Sequence, residues 1–144
     1  MRILAVLFLG MVLAAPLDAT ADAAKTATVY KDPLCGCCNG YIAHLRNNGF
    51  EVEAVNLANM SPLKRMAGVP EPLESCHTMV IDGYVVEGHV PLAAIDRMLR
   101  EKPAIKGIAL PGMPAGSPGM GGRKERRFAI YGFSGKGHRV YTVE

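Results

Sequence analysis

Between Glu51 and Leu57 apolar and polar residues largely alternate, the period of a half-buried strand. Ahead of it, Ala27-Thr28-Val29-Tyr30 is β-branched and aromatic, and predicts a buried strand over residues 24–31. The stretch 36–48 between them reads as a helix closed by Gly49. Ser61-Pro62 predicts a short second helix, with Ser61 as its cap, running through Lys64-Arg65-Met66 to Gly68-Val69-Pro70. Met79-Val80-Ile81 and Tyr84-Val85-Val86-Glu87 flank Asp82-Gly83, a hairpin signal. Pro91 to Arg100 reads as a helix with Leu92, Ile95, Met98 and Leu99 on one face. Residues 103–122, rich in glycine and proline, predict an irregular loop. Phe128 to Val143, centred on Ser134-Gly135-Lys136-Gly137, predicts a C-terminal hairpin.

The order β-α-β-α-β-β-α is thioredoxin-like, an α/β class, here with an added C-terminal β-hairpin. Two strands joined by a helix are usually parallel and right-handed. In this order the segment entering the third strand, Ser75-Cys76-His77-Thr78, packs beside the loop that follows the first strand. Cys35, Gly36, Cys37 and Cys38 occupy that loop and the start of the first helix. The expectation is that Cys76 and His77 face Cys35, Cys37 and Cys38 across about forty residues of sequence. Thioredoxins carry a cis-proline at this point and this chain has no proline at 76–78, which argues against ordinary dithiol–disulfide exchange.

A helix N-terminus favours thiolate over thiol. Thiolates bind soft metals and exchange with disulfides. Cys35 and Cys38 are spaced to bridge each other or to chelate one ion. Adjacent helical residues point about 100° apart, so Cys37 is expected to face away from Cys38. A mononuclear site built from Cys35, Cys38, Cys76 and His77 leaves Cys37 unused, whereas bridging thiolates in a Cu(I) cluster use every cysteine. Zinc is the lesser candidate for that reason. Asn39 stands where a c-type haem motif needs histidine. His89, at the end of the strand antiparallel to that of His77, is a further candidate ligand. His44 and His138 are expected at the surface. Met113 and Met120 lie in the glycine–proline loop, where a thioether is a good Cu(I) donor. Met66, Met79 and Met98 are expected in the core, and Met60 is not placed.

The chain opens with Arg2 and an apolar run from Ile3 to Ala15, followed by small residues. This predicts a secretory signal peptide over 1–23, since the run is shorter than the ~20 residues of a spanning helix. Residues 24–144 then form a single domain, exported to a bacterial periplasm, where free thiols tend to oxidise. Four cysteines allow three disulfide pairings, so a purely structural disulfide domain is another reading. Sixteen Lys and Arg against thirteen Asp and Glu give a net charge of +3, too mild to indicate nucleic acid or a membrane surface. The run Arg123-Lys124-Glu125-Arg126-Arg127 reads as a solvated linker.

Four stretches in order resemble one family. They are Tyr30-Lys31-Asp32-Pro33-Leu34-Cys35-Gly36-Cys37-Cys38, Ser75-Cys76-His77-Thr78, the segment from Asp82 to Pro91, and the loop from Pro111 to Met120. Residues 26 to 122 are similar to the CopG-type family of small periplasmic copper-resistance proteins. The resemblance implies a thioredoxin-like fold, a multinuclear Cu(I) cluster held by the cysteines, and a role in copper handling or copper redox chemistry. Other periplasmic copper-handling proteins are the implied partners. The competing reading is a thiol–disulfide oxidoreductase, with Cys35 as nucleophile and Cys38 as resolving thiol.

Overall fold

The computed structural model describes residues 24–144. The expected signal peptide lies outside them. Strand β1 (Lys25–Lys31) leads through the cysteine loop into helix α1 (Gly36–Asn47), and the chain returns as β2 (Phe50–Asn56), parallel to β1. Helix α2 (Ser61–Ala67) and a single 3-10 turn (Glu71–Leu73) follow. Next come β3 (His77–Ile81), β4 (Tyr84–Glu87) and α3 (Leu92–Glu101). The chain closes with β5 (Gly107–Ala109), β6 (Ala129–Ser134) and β7 (Gly137–Val143). One seven-stranded mixed sheet runs in the order β2-β1-β3-β4-β5-β6-β7. Its first four strands are compatible with the thioredoxin-like topology. At the β3–β4 turn, Asp82 and Gly83 both take positive φ, +47° and +78°, as a two-residue type I′ hairpin requires.

Successive residues on a strand point to opposite faces, and the core divides accordingly. Val29, Met79, Val86 and Ile108 meet Tyr41, Ile42 and Leu45 of α1 and Ile95 and Met98 of α3 on one face. Val85, Ala109 and Phe133 meet Val69 and Leu73 on the other. Helices on both faces bury the central strands, and the hairpin β6–β7 extends the same sheet beyond β5.

Three expectations need correction. The loop 103–122 contains β5, which is only three residues long and begins with a glycine, so its strand character comes from pairing with β4 and β6. Ser61 does not cap α2. It lies within the helix, and the Asn59 side chain accepts its N–H at 3.1 Å. Met66 is not core but 85 % exposed. The inward position of α2 belongs to Lys64, two residues earlier and therefore roughly 200° around the helix.

Candidate metal centre

The turn after β1 is held by Asp32. Its carbonyl accepts the Cys35 N–H at 3.1 Å and its side chain accepts the Leu34 N–H at 2.8 Å. Cys35 thereby becomes the last extended residue before α1, with Cys37 and Cys38 in the first turn of the helix. Cys35 and Cys38 are joined as a disulfide, and Cys37 and Cys76 are free thiols. The Cys37 Sγ lies 3.5 Å from that of Cys35 and 4.0 Å from that of Cys76. All four sulfurs fall within 4.8 Å of one another. The 100° step separates Cys37 from the buried Cys38, as expected, and Cys37 still stays within the group of four. At the helix N-terminus it turns back toward Cys35, while Cys38 is buried.

Register explains why Cys76 arrives here. His77, the first residue of β3, pairs with Lys31, the last residue of β1. Cys76 thus continues past the sheet alongside the cysteine turn. Its sulfur lies 3.3 Å from His77 Nδ1 and 3.0 Å from His89 Nε2. Both imidazoles are fully buried. Tyr41 of α1 walls them in, with ring centroids 4.6 Å from His77 and 5.3 Å from His89, and its hydroxyl donates to the Val90 carbonyl at 2.8 Å. His77 Nε2 has no hydrogen-bond partner, the one buried side-chain nitrogen or oxygen among the described residues in that position.

Burial governs the electrostatics. It pushes the Cys76 thiol up to about 12, with the neighbouring Cys37 adding to the shift. It lowers His77 to about 3, helped by His89 and by the Lys64 cation. It lowers His89 as well, against the opposing bond to the Pro118 carbonyl. Both rings are therefore neutral near pH 7, each with one nitrogen lone pair.

Behind the histidines is a charged pair that sequence reasoning missed. The Lys64 ammonium donates to Glu87, and both side chains are buried. Glu87 also accepts the Ser75 N–H at 2.6 Å and the Thr78 hydroxyl at 2.6 Å. Burial raises the Glu87 carboxyl, against the lowering pull of Lys64, Thr78 and Ser75. This network fixes the backbone next to Cys76. The sequence signal available was a glutamate ending a strand otherwise apolar.

Cys35, Cys37, Cys38, Cys76, His77 and His89 are thus brought together. Met113 and Met120 sit on the loop that crosses the site. Met113 is 55 % exposed and follows Gly112, whose carbonyl accepts the Ser75 hydroxyl. Met120 is half-buried beyond Gly119, which touches the backbone of Tyr41. His138 is exposed and His44 half-buried, both away from the group. A soft metal fits these residues: the donors are sulfurs and neutral imidazoles, and one nitrogen of each ring, His77 Nδ1 and His89 Nε2, lies against the Cys76 sulfur.

The family model described as protein of unknown function DUF411 matches residues 73–120. Two solved structures, described as copper resistance protein CopG in forms 2 and 1, are each 44 % identical to the chain. They superpose with TM-scores of 0.77 and 0.76, cover 83 % of this chain, and are themselves covered to 98 % and 97 %. No curated protein matches. Among the described residues no helix is long and apolar enough to cross a membrane.

Proposed function

This chain belongs to the CopG family of copper resistance proteins, and from that premise we propose that it holds copper as Cu(I) in a multinuclear thiolate site serving copper resistance in the periplasm. The observation that carries the reading is the meeting of four sulfurs, from two distant stretches of sequence, within 4.8 Å. Cys35, Cys37, Cys38 and Cys76 are the assigned thiolate donors. His77 and His89 supply imidazole, with Met113 and Met120 as auxiliary thioethers. Four thiolates and two imidazoles exceed what one tetrahedral zinc needs, and bridging sulfurs give the surplus a use. Copper supplies one-electron chemistry when bound. The chain's residues supply soft donors, neutral imidazoles and a wall of Tyr41 that limits water.

Full use of the sulfurs requires the Cys35–Cys38 bond to be reduced, two electrons and two protons yielding two thiols. An external dithiol can provide both. Transfer to other copper-handling proteins is supported by Leu34, which is 92 % exposed beside Cys35 and offers an apolar contact at the mouth of the site.

A second reading, a thiol–disulfide oxidoreductase, is favoured by the Cys35–Cys38 bond. In it the reduced Cys35 thiolate attacks a substrate disulfide and releases one substrate thiol. Cys38 then resolves the mixed disulfide, re-forming the Cys35–Cys38 bond and releasing the second substrate thiol. Anaerobic Cu(I) titration of the reduced protein against a chelator, with metal counted per chain, separates the two. More than one Cu(I) per chain is expected, and fewer in Cys37→Ser with the domain still folded. Equal copper content and affinity in Cys37→Ser would reject the cluster. Dithiol reductase activity without copper binding would leave the exchange reading.

A further inference from the structure

The loop that crosses the site does more than carry methionines. Pro118 presents its carbonyl to His89 Nδ1 at 2.7 Å. A carbonyl oxygen only accepts, so Nδ1 carries the proton. The neutral ring then has its lone pair on Nε2, the atom that faces Cys76 Sγ at 3.0 Å. Bonds to the second ring nitrogen are how proteins select the tautomer of a metal-binding histidine.

The carbonyl is held from two sides. Within the loop, Gly116 N–H bonds Gly121 O at 3.1 Å, Met120 N–H bonds Ser117 O at 2.9 Å, and the Ser117 hydroxyl bonds Pro114 O at 2.7 Å. Against α1, the contact is glycine on glycine. A Cβ on Gly40 would lie 2.6 Å from the Gly119 carbonyl oxygen, and one on Gly119 would lie 2.3 Å from Tyr41 N. Gly119 also has φ +77°, a conformation that favours glycine. Nothing wider than a hydrogen fits at either position while the loop keeps its place.

We propose that residues 116–120 act as a strap that locks His89 in the Nδ1–H tautomer, and that the Gly40–Gly119 contact is the latch that holds the strap down. Gly40, Gly119 and Pro118 are positioning residues. They act on the metal through His89, so the proposal rests on the copper reading for its purpose but not for its geometry. The latch explains why a helix carries glycine in its second turn, where alanine would be the better helix former.

Gly40→Ala tests this, because it favours α1 while forcing the strap to move. The first readout is the pair of imidazole 15N shifts of His89 in metal-free, reduced protein. The second is Cu(I) affinity by chelator competition. In the wild type the shifts should report Nδ1–H alone. In Gly40→Ala the Nε2–H form should appear, with affinity lower by roughly tenfold or more. Gly121→Ala, where an added Cβ meets nothing within 4 Å, should match the wild type in both. Gly119→Ala should behave as Gly40→Ala and provides a second route should one variant not fold. An Nε2–H His89 in the wild type overturns the proposal. So does a Gly40→Ala protein with unchanged tautomer and affinity, or a Gly121→Ala protein as perturbed as Gly40→Ala. A wild type with His89 as Nδ1–H that binds no Cu(I) upholds the lock and sinks the copper reading instead.

Discussion

His77 is where the site meets pH. Burial first, then His89 and Lys64, hold its imidazole down to about 3. Below its ordinary value of 6.5 the unfolded chain takes up a proton that the folded chain refuses. The stability of the metal-free protein should therefore fall as pH drops through the window from about 6.5 to about 3, by up to about 1.4 kcal/mol per unit from His77. His89, also lowered, adds to the slope. Glu87 is raised, so its contribution has the opposite sign, being lost as pH rises. Urea unfolding of wild type and His77→Gln at pH 7 and pH 5 isolates the effect: the wild type should lose more stability between the two. Parallel losses would mean that His77 is not buried neutral. At this scale Cys76 and His77 were legible in the sequence, since two good donors side by side at a strand start are conspicuous. The His89 tautomer was not. It depends on a backbone carbonyl 29 residues away, which leaves no side-chain signature.

Helix α2 is anchored by a lysine rather than an apolar stripe. Removing one member of a buried ion pair strands the other, at a cost of about 3–5 kcal/mol. Lys64→Met should cost about that much in urea unfolding. Lys64→Met with Glu87→Leu should recover part of it, short of wild type, because the Ser75 N–H loses its acceptor at a cost of about 1–3 kcal/mol. A Lys64→Met loss below about 1 kcal/mol, the scale of an exposed pair, would contradict the buried network. The strands and helices with their own periodicity were readable: β1, α1, β2, the Asp82–Gly83 hairpin and α3 lie within a residue or two of expectation. Elements defined by their neighbours were not. β5 exists because β4 and β6 flank it, and a seven-residue α2 is too short for its pattern to reveal that Lys64 points inward and Met66 outward.

The seven strands behave as one sheet, so the C-terminal hairpin should be integral to the fold. Phe128, Ile130 and Phe133 enter the two core clusters from it. A chain ending at Gly122 would uncover Ile108 and Ala109 and leave β5 paired on one side alone. That truncation is expected to cost more than the ~5–15 kcal/mol that holds a typical domain together, giving loss of 1H–15N shift dispersion. A dispersed spectrum would make the hairpin an accessory. The pairing of β1 with β3 has a consequence in time. Most neighbours in this sheet lie close in sequence, but β1 and β3 close over α1, β2 and α2 together, and long closures are slow steps of folding. Cys35, Cys37 and Cys38 lie on one side of that closure, Cys76, His77 and His89 on the other. An emerging chain can offer the first three sulfurs while it is still open, but the full set of proposed donors exists only after the closure. The completeness of the donor set therefore records whether the chain has finished folding.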